Sequence, residues 1–376
     1  MNWKEANLGE LITFQRGFDI TKKELTPGKY DVIFSSGFGG KHSDFKVKAP
    51  GVVIGRKGTL GTVFFATQDF WPTDTTLWVK DFHGNHEKFA YYFLQTLHLE
   101  QYDCGAANPT LNRNHIHTIP VRFPPLPIQR KIAAILSTYD DLIENNTRRI
   151  KILEEMARSL YREWFVNFRF PGHEQVKMVD SELGLIPEGW EVVLLGKLVS
   201  FQTGKLNSNA AKHNGSYPFF TCSQDILRTD TYSFNTECVL LAGNNANGIF
   251  HIKYFKGKFD VYQRTYVIRT LDSKLVTNYY LYFAIQAQLD HLKSISTGAA
   301  TKFLTLTILN NLKIIVSDPK IQKEFASFIS DVFSQIELLQ SKNDNLRQTR
   351  DLLLPKLISG EIDVENLDIK TGEIAA

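Results

Sequence analysis

The sequence predicts an α+β protein built twice over. Two similar, mainly β modules are each followed by one long helix, and the two helices pair as an antiparallel coiled coil with pseudo-two-fold symmetry. Three observations carry this expectation. The chain has 376 residues, enough for two domains of ordinary size. Several segments recur in the same order along its two halves. Two stretches of apolar residues at spacings of three and four run for about five heptads each.

The recurrence starts with "WKEANLGELITFQRG" (3–17), which aligns without gaps on "WEVVLLGKLVSFQTG" (190–204). Trp3/Trp190, Leu8/Leu195, Gly9/Gly196, Leu11/Leu198, Phe14/Phe201, Gln15/Gln202 and Gly17/Gly204 match. "GVVIGRKGTLGTVFF" (51–65) then stands opposite "CVLLAGNNANGIFHI" (238–252), an apolar strand, a turn and a second apolar strand in both. "KFAYYFLQ" (88–95) parallels "TNYYLYFAIQ" (277–286), and "CGAANPTLN" (104–112) parallels "STGAATKFL" (296–304). Each repeat closes on a proline near an Ile-Gln-basic triplet, "PLPIQRKIAAIL" (125–136) and "DPKIQKEFASFI" (318–329). Proline suits the first turn of a helix, where its missing N–H has no partner to lose.

Within each module, short runs such as "VVIG", "TVFFAT", "TYVIRT" and "LKIIV" are rich in β-branched and aromatic residues and are broken by Gly, Asn and Asp. They read as strands and turns. "HEKFAYYFLQTLHLEQY" (86–102) reads as a helix. The expected organisation is a first module over 1–125, a long helix over 126–167, a linker over 168–188, a second module over 189–318, a second helix over 319–360 and a tail over 361–376. The predicted seam of the first helix is Ile128, Ile132, Ile135, Tyr139, Leu142, Ile150, Leu153, Ala157 and Leu160. That of the second is Ile321, Phe325, Phe328, Val332, Leu339, Leu346, Leu353 and Leu357. Asn146 and Asn343 interrupt these seams, either as solvated positions or as a buried pair that fixes register. Antiparallel pairing would set the two modules at opposite ends of a rod.

Composition narrows the function. Hydrophobic residues make up 43% and charged residues 22%, the balance of a folded globular chain. The first residues hold no apolar h-region, and no run of about 18 apolar residues occurs, so neither secretion nor membrane insertion is expected. Three cysteines without CxxC spacing read as thiols of a reducing cytoplasm. A net charge of +3 from 43 basic and 40 acidic residues decides nothing, because a phosphate-binding face shows as clustering.

Two similar modules suit a target that is itself bipartite, and duplex DNA presents such half-sites. Over essentially its full length the chain resembles the specificity subunit of type I restriction–modification enzymes. The motifs that carry the resemblance are "PPLPIQRKIAAILSTYDDLIENN" (124–146), "VDSELGLIPEGWEV" (179–192), "FDVYQRTYVI" (259–268) and "RDLLLPKLISGEI" (350–362). The resemblance implies two target-recognition domains, each reading half of a split, asymmetric DNA sequence. It implies helices that act as spacer and as docking surface for two modification subunits. In the family those subunits hold S-adenosylmethionine and methylate an adenine flipped from the duplex, and restriction subunits use ATP and Mg²⁺. This chain is then a non-catalytic DNA-recognition subunit that binds no cofactor itself.

The residues agree with that implication. No (D/N)PP(Y/F) tetrapeptide, Walker A motif or GxGxxG after a strand is present. "GRKGTLG" (55–61) lacks the Lys-Ser/Thr pair of a P-loop and reads as a tight turn, with a backbone contact to phosphate as the alternative. His83, His86, His115, His117 and Cys104 invite a zinc reading, but the second half has no equivalent cluster, and no metal is expected.

Base readout needs donors and acceptors held in loops. The first module offers Lys41 and His42, Arg56 and Lys57, and Asn108, Arg113 and Asn114 of "NPTLNRN". The second offers Lys205 and Asn207, the amide turn Asn244, Asn245 and Asn247, then Gln263, Arg264 and Lys302. "GRKGT" against "GNNAN" keeps a turn and exchanges its chemistry, which predicts unlike half-sites. Two other functions fit the same architecture: a protein-binding scaffold, or a specificity subunit serving a methyltransferase without a nuclease.

Overall fold

The computed structural model describes residues 3–105 and 109–370. It divides into two compact units, Met1–Arg148 with Gln340–Ala376, and Arg149–Leu339. Each unit joins one β module to a segment of both long helices, which run over Leu126–Tyr161 and Pro319–Ser359.

In the first unit an antiparallel four-stranded sheet has the order Thr13–Arg16, Thr76–Asp81, Gly51–Gly55, Val63–Ala66. Gly51–Gly55 is buried along its whole length, which explains its uninterrupted apolar spelling. Its side chains alternate between two cores. Val52 and Ile54 join Phe89, Ala90 and Phe93 of helix Glu87–Gln95, while Val53 joins Ile33, Val47 and Phe70. A second sheet has the order Gly37–His42, Tyr30–Phe34, Phe70–Pro72, the last pair parallel. Lys4–Asn7 pairs with Pro120–Phe123 and closes the module on itself.

The second unit merges these sheets into one of six strands: Val199–Thr203, Thr265–Thr270, Phe234–Ala242, Ile252–Val261, Tyr217–Phe220, Ile226–Thr229. The strand Ile252–Val261 runs unbroken. Its first-unit counterpart is split into Val63–Ala66 and Phe70–Pro72, and in the break between them Asp69 accepts from the Ala49 N–H at 2.9 Å. In both units the inner strand pairs in parallel with the next one, Phe70–Pro72 with Tyr30–Phe34 and Ile252–Val261 with Tyr217–Phe220. One topology therefore serves both modules.

The two glutamines of the Pro-Ile-Gln repeats join each module to its helix. Gln129 and Gln322 are each 1% exposed. Gln129 accepts from the His86 N–H (2.9 Å) and donates to Asn85 Oδ1 (2.7 Å) and the Pro124 carbonyl (2.9 Å). Gln322 accepts from the Thr277 N–H (3.3 Å) and donates to the carbonyls of Leu275 (3.0 Å) and Ser317 (3.4 Å). His86 and Thr277 are the N-caps of the helices Glu87–Gln95 and Asn278–Gln286, so each buried amide fastens two helix starts together.

Within the first unit the helical segments are antiparallel: Asp140 meets Arg350 at 2.5 Å and Asn146 meets Asn343 at 2.9 Å. Asn343 is 3% exposed and also donates to the Ile143 carbonyl and Thr147 Oγ1, the register-fixing alternative of the two readings. In the second unit Tyr161, Trp164 and Phe165 pack against Phe325. The predicted seams need two corrections. Leu142 and Phe328 are 47% and 46% exposed, whereas Ile329 and Ile336 are buried. With Phe325, Phe328 and Ile329 all apolar, the sequence permits two phases of the stripe. The strict alternation Phe325, Ile329, Val332, Ile336, Leu339, Asn343 is the one that packs.

The segment predicted as linker contains a hairpin, Met178–Ser181 with Gly184–Pro187. The helix expected over 86–102 ends at Gln95, and a short 3₁₀ turn, Leu99–Tyr102, follows His98 at φ 48°. No helix among the described residues is long and apolar enough to cross a membrane.

Candidate functional site

Each module brings four loops to one corner, and the same backbone bonds build that corner in both. In the first, the Arg56 N–H donates to the Thr75 carbonyl (2.9 Å), the Leu111 N–H to the Arg56 carbonyl (2.9 Å), and the Thr76 N–H to the Thr73 carbonyl (2.9 Å). In the second, the Gly243 N–H donates to Arg264 (2.8 Å), the Leu304 N–H to Gly243 (2.9 Å), and the Thr265 N–H to Tyr262 (2.9 Å). The turn Thr73–Thr76 thus corresponds to Tyr262–Thr265. The glycine at the end of the first strand is required in both. A Cβ on Gly17 would lie 2.1 Å from the Thr73 carbonyl oxygen, and one on Gly204 1.7 Å from that of Val261.

The second corner gathers every residue predicted for that module. Asn244–Asn245 pairs with Lys302–Phe303 as a short antiparallel ribbon. The Asn245 side chain accepts from the Asn247 N–H (2.8 Å), a local turn of the kind asparagine favours. Asn244 Oδ1 is buried and meets no donor among the described residues, so this amide oxygen does nothing for the fold. The Gln263 N–H donates to the Leu206 carbonyl (3.0 Å), which brings Lys205 and Asn207 alongside. Gln263, Arg264, Lys205, Asn207 and Asn247 are exposed, while Lys302 is half-buried. The Arg264 guanidinium stands over the Phe303 ring at 5.4 Å, within cation–π range. Among the described residues, Arg264, Lys205 and Lys302 form no ion pair.

Sequence reasoning missed Phe303, because only the ribbon with Asn244 places it under Arg264. It also missed Cys222, whose thiol donates to the Arg264 carbonyl (3.4 Å), and Lys253, which donates to the Ser223 carbonyl (2.7 Å). Burial pulls the Lys253 ammonium below its usual pKa.

The first corner is chemically different. Arg56 is half-buried and donates to the Asp74 carbonyl (3.3 Å), and Lys57 is exposed. Arg113 and Asn114 are exposed at the start of the short helix Arg113–His117, just after Leu111. Asp74 and Thr75, unmarked by the sequence reading, occupy the places of Gln263 and Arg264. Aligning "TDTT" (73–76) on "YQRT" (262–265) would have found them. Thr75 Oγ1 is engaged internally, with Thr73 Oγ1 (2.7 Å) and the Ser35 N–H (3.3 Å). Arg16 Nη2 lies 2.7 Å from Asp19 and 3.6 Å from Asp74.

Two predicted residues of the first module lie elsewhere. His42 is 9% exposed, with its ring edge against Trp71 and its Nδ1 accepting from the Thr26 N–H (3.1 Å). It is a packing residue rather than the exposed donor expected: the polar pattern of "GGKH" concealed that the shifted register between Tyr30–Phe34 and Gly37–His42 leaves His42 facing inward. Lys41 is paired with Asp31 at 2.7 Å on the three-stranded sheet. Asn108 lies outside the described residues.

Three of the four histidines that invited a zinc reading have structural tasks, and His115 is exposed. His117 Nε2 accepts from the Phe14 N–H (2.9 Å), His86 caps a helix, and His83 bonds Thr13 Oγ1 (2.8 Å). Burial lowers the pKa of His86 and His117, with Arg113 and His83 adding to the effect at His117. No three His, Cys, Asp or Glu among the described residues form a group able to hold a metal. Burial pushes the Cys238 thiol up to about 12.

A scaffold used twice, presenting cations and amides from loops on an unchanged backbone, has the form of a sequence-reading protein. Comparison with known proteins identifies the class. The family described as the type I restriction modification DNA specificity domain matches residues 1–155 and 187–348, and the chain belongs to that family. Specificity subunits are the non-catalytic DNA-recognition components of type I restriction–modification systems.

Among its relatives, the EcoDI specificity subunit of Escherichia coli is 31% identical over 186 residues, 48% of this chain and 40% of that one. The MjaIX specificity subunit of Methanocaldococcus jannaschii is 27% identical over 309 residues, 76% of this chain and 71% of that one. The chain thus spans less than half the length of the first relative and somewhat over two thirds of the second. In fold it is similar to the type I restriction–modification S subunit from M. genitalium. That likeness has a TM-score of 0.64 at 19% identity and covers 95% of this chain and 96% of that one.

Proposed function

We propose that each module reads one half of a bipartite, asymmetric duplex DNA target, and that the paired helices are the spacer and dock two modification subunits. One observation carries the reading. Matching backbone bonds build the two corners, yet their side chains differ: Arg56, Lys57, Asp74 and Thr75 in one, Gly243, Asn244, Gln263 and Arg264 in the other. A backbone held constant while its loop chemistry changes suits two readers of unlike sequences. Lysines at each corner engage phosphate and set position, and amides and guanidinium groups meet base edges.

In this reading the chain positions chemistry that other subunits perform. Modification subunits hold S-adenosylmethionine and act on a flipped adenine, restriction subunits use ATP and Mg²⁺, and the assembly works in the cytoplasm. The test is a genome-wide map of methylated adenines with and without this chain. One asymmetric motif with an unspecified gap is expected to vanish on deletion. A palindrome, or one continuous site, overturns the reading. Affinity of the complex for its duplex is also expected to fall steeply and linearly with log salt, whereas a protein-binding scaffold has no duplex affinity to lose.

A further inference from the structure

We propose that Arg264 is the guanine-reading side chain of the second module, with Phe303 as its positioning residue, and that the first module makes no equivalent guanine contact from that place. The inference rests on the reading of the second module as a half-site reader, and it names the residue and the base.

Residue 264 is held on every side by its main chain. Its carbonyl accepts from the Gly243 N–H (2.8 Å) and the Cys222 thiol (3.4 Å), and the turn around it is closed by the bond from Thr265 to Tyr262 (2.9 Å). Its side chain is exposed, and its guanidinium stands over Phe303 at 5.4 Å. A ring under a guanidinium leaves the donors at the rim of the fork free. No carboxylate among the described residues pairs with them, whereas Arg16 of the first unit is pinned by Asp19 and Asp74. A fixed fork with unspent, coplanar donors matches guanine O6 and N7, two acceptors side by side in the major groove.

A phosphate would also accept from this fork, and the neighbours decide between the two. Gln263, Asn207 and Asn247 are exposed amides, which donate and accept. Base edges offer both kinds of group, while phosphate offers only acceptors. The lysines at the margin, Lys205 and Lys302, carry the charge that phosphate needs. In the first module the same place holds Thr75, whose short hydroxyl is engaged by Thr73 and Ser35. It can make no bidentate contact of this kind.

The experiment uses the full chain assembled with its modification subunits. Methylated adenines are mapped genome-wide for the unaltered chain, R264K and F303L, and binding is measured on duplexes carrying each base pair at every position of the motif. R264K keeps the charge and loses the fork. It is expected to relax one guanine position, in one half-site only, by roughly 5- to 150-fold in discrimination, with the other half-site unchanged. F303L is expected to relax the same position more weakly. R264Q is the charge control: a uniform loss over all sequences, with the salt slope reduced by about one and the motif intact, makes Arg264 a phosphate contact and overturns the proposal. An unchanged motif in R264K overturns it as well. Should the unaltered chain direct no gapped motif at all, the half-site reading falls, and the Arg264 assignment falls with it.

Discussion

In the first unit the long helix is fastened by charge: Asp140 accepts from the Tyr92 hydroxyl (2.5 Å) and from Arg350 (2.5 Å). At the corresponding positions of the second unit stand Phe333 and Phe283, whose rings meet edge to face at 6.3 Å, and buried Ala157 stands where Arg350 does. The same exchange recurs along the helices. The bonded pair Asn146 and Asn343 has Leu339 and Ile150 as its counterparts, the first buried and the second half-buried. One unit is held by directional bonds that tolerate a single register. The other is held by aromatic and aliphatic area that stabilises without dictating it. The duplicated backbone accepts either solution, because its own hydrogen bonds and the two buried glutamines specify the architecture beforehand. The two corners also differ in side chains on a shared backbone, Asp74 and Thr75 in one standing where Gln263 and Arg264 stand in the other.

The largest effect that tests this contrast is expected in the aromatic cluster. Phe325 is fully buried among Tyr161, Trp164, Phe165 and Phe283. Phe325→Ala should cost about 3–5 kcal/mol. Hydrogen exchange is expected to accelerate in residues 149–339 while the core of the other unit stays protected. Equal acceleration in both units breaks the description of two separately stabilised bodies. Next in size come the paired glutamines. Gln129→Ala and Gln322→Ala each orphan buried groups, at about 1–3 kcal/mol per group, and matched losses in urea unfolding are expected. A loss at only one of them means the two joints are not equivalent.

A smaller effect sharpens the contrast between charge and apolar area. Arg350→Ala alone is expected to cost about 1–2 kcal/mol, because the pair with Asp140 is only partly buried. Carrying the second unit's residues into the first, as Tyr92→Phe with Asp140→Phe and Arg350→Ala, should return stability to within about 1 kcal/mol of the parent. A triple variant less stable than Arg350→Ala shows that the charged network is required rather than exchangeable.

The smallest effect is a pH dependence carried by one buried histidine of the first unit. Burial lowers the pKa of His117, whose neutral ring accepts from the Phe14 N–H. A histidine depressed in the folded state contributes stability that is complete above its unfolded value, near 6.5. That stability is lost as pH falls through the lower folded value. Its counterpart beside Gly196 is Asn310, which does not titrate. Between pH 7 and pH 5 the first unit should therefore lose stability that His117→Asn no longer loses. An unchanged pH profile in that variant assigns the dependence to another group.

Much of this molecule could be read from its letters, because duplication makes each half an alignment for the other. Gly17 and Gly204 match in sequence, and in space each lets a backbone carbonyl approach where a Cβ would clash. The Pro-Ile-Gln repeats marked the joints, though not that the glutamine amides are what close them. The eight residues proposed for the second corner lie together because polar residues that follow strand ends fall in turns, and those turns meet at one edge of the sheet. His42 misled because one strand residue's direction depends on register, and Phe328 because neighbouring apolar residues allow two helical phases.

What the sequence determined by itself was periodic or repeated: two modules, two long helices, the places where they join, and the loops that carry polar chemistry. Those features follow from local propensity and from the spacing of apolar residues. What only the tertiary structure decided was pairing between segments far apart in the chain. Phe303 lies under Arg264, Thr75 occupies the place of Arg264 in the other module, and Asn146 meets Asn343. Such contacts arise from strand and helix register, which depends on the summed packing of whole surfaces rather than on any short stretch of residues.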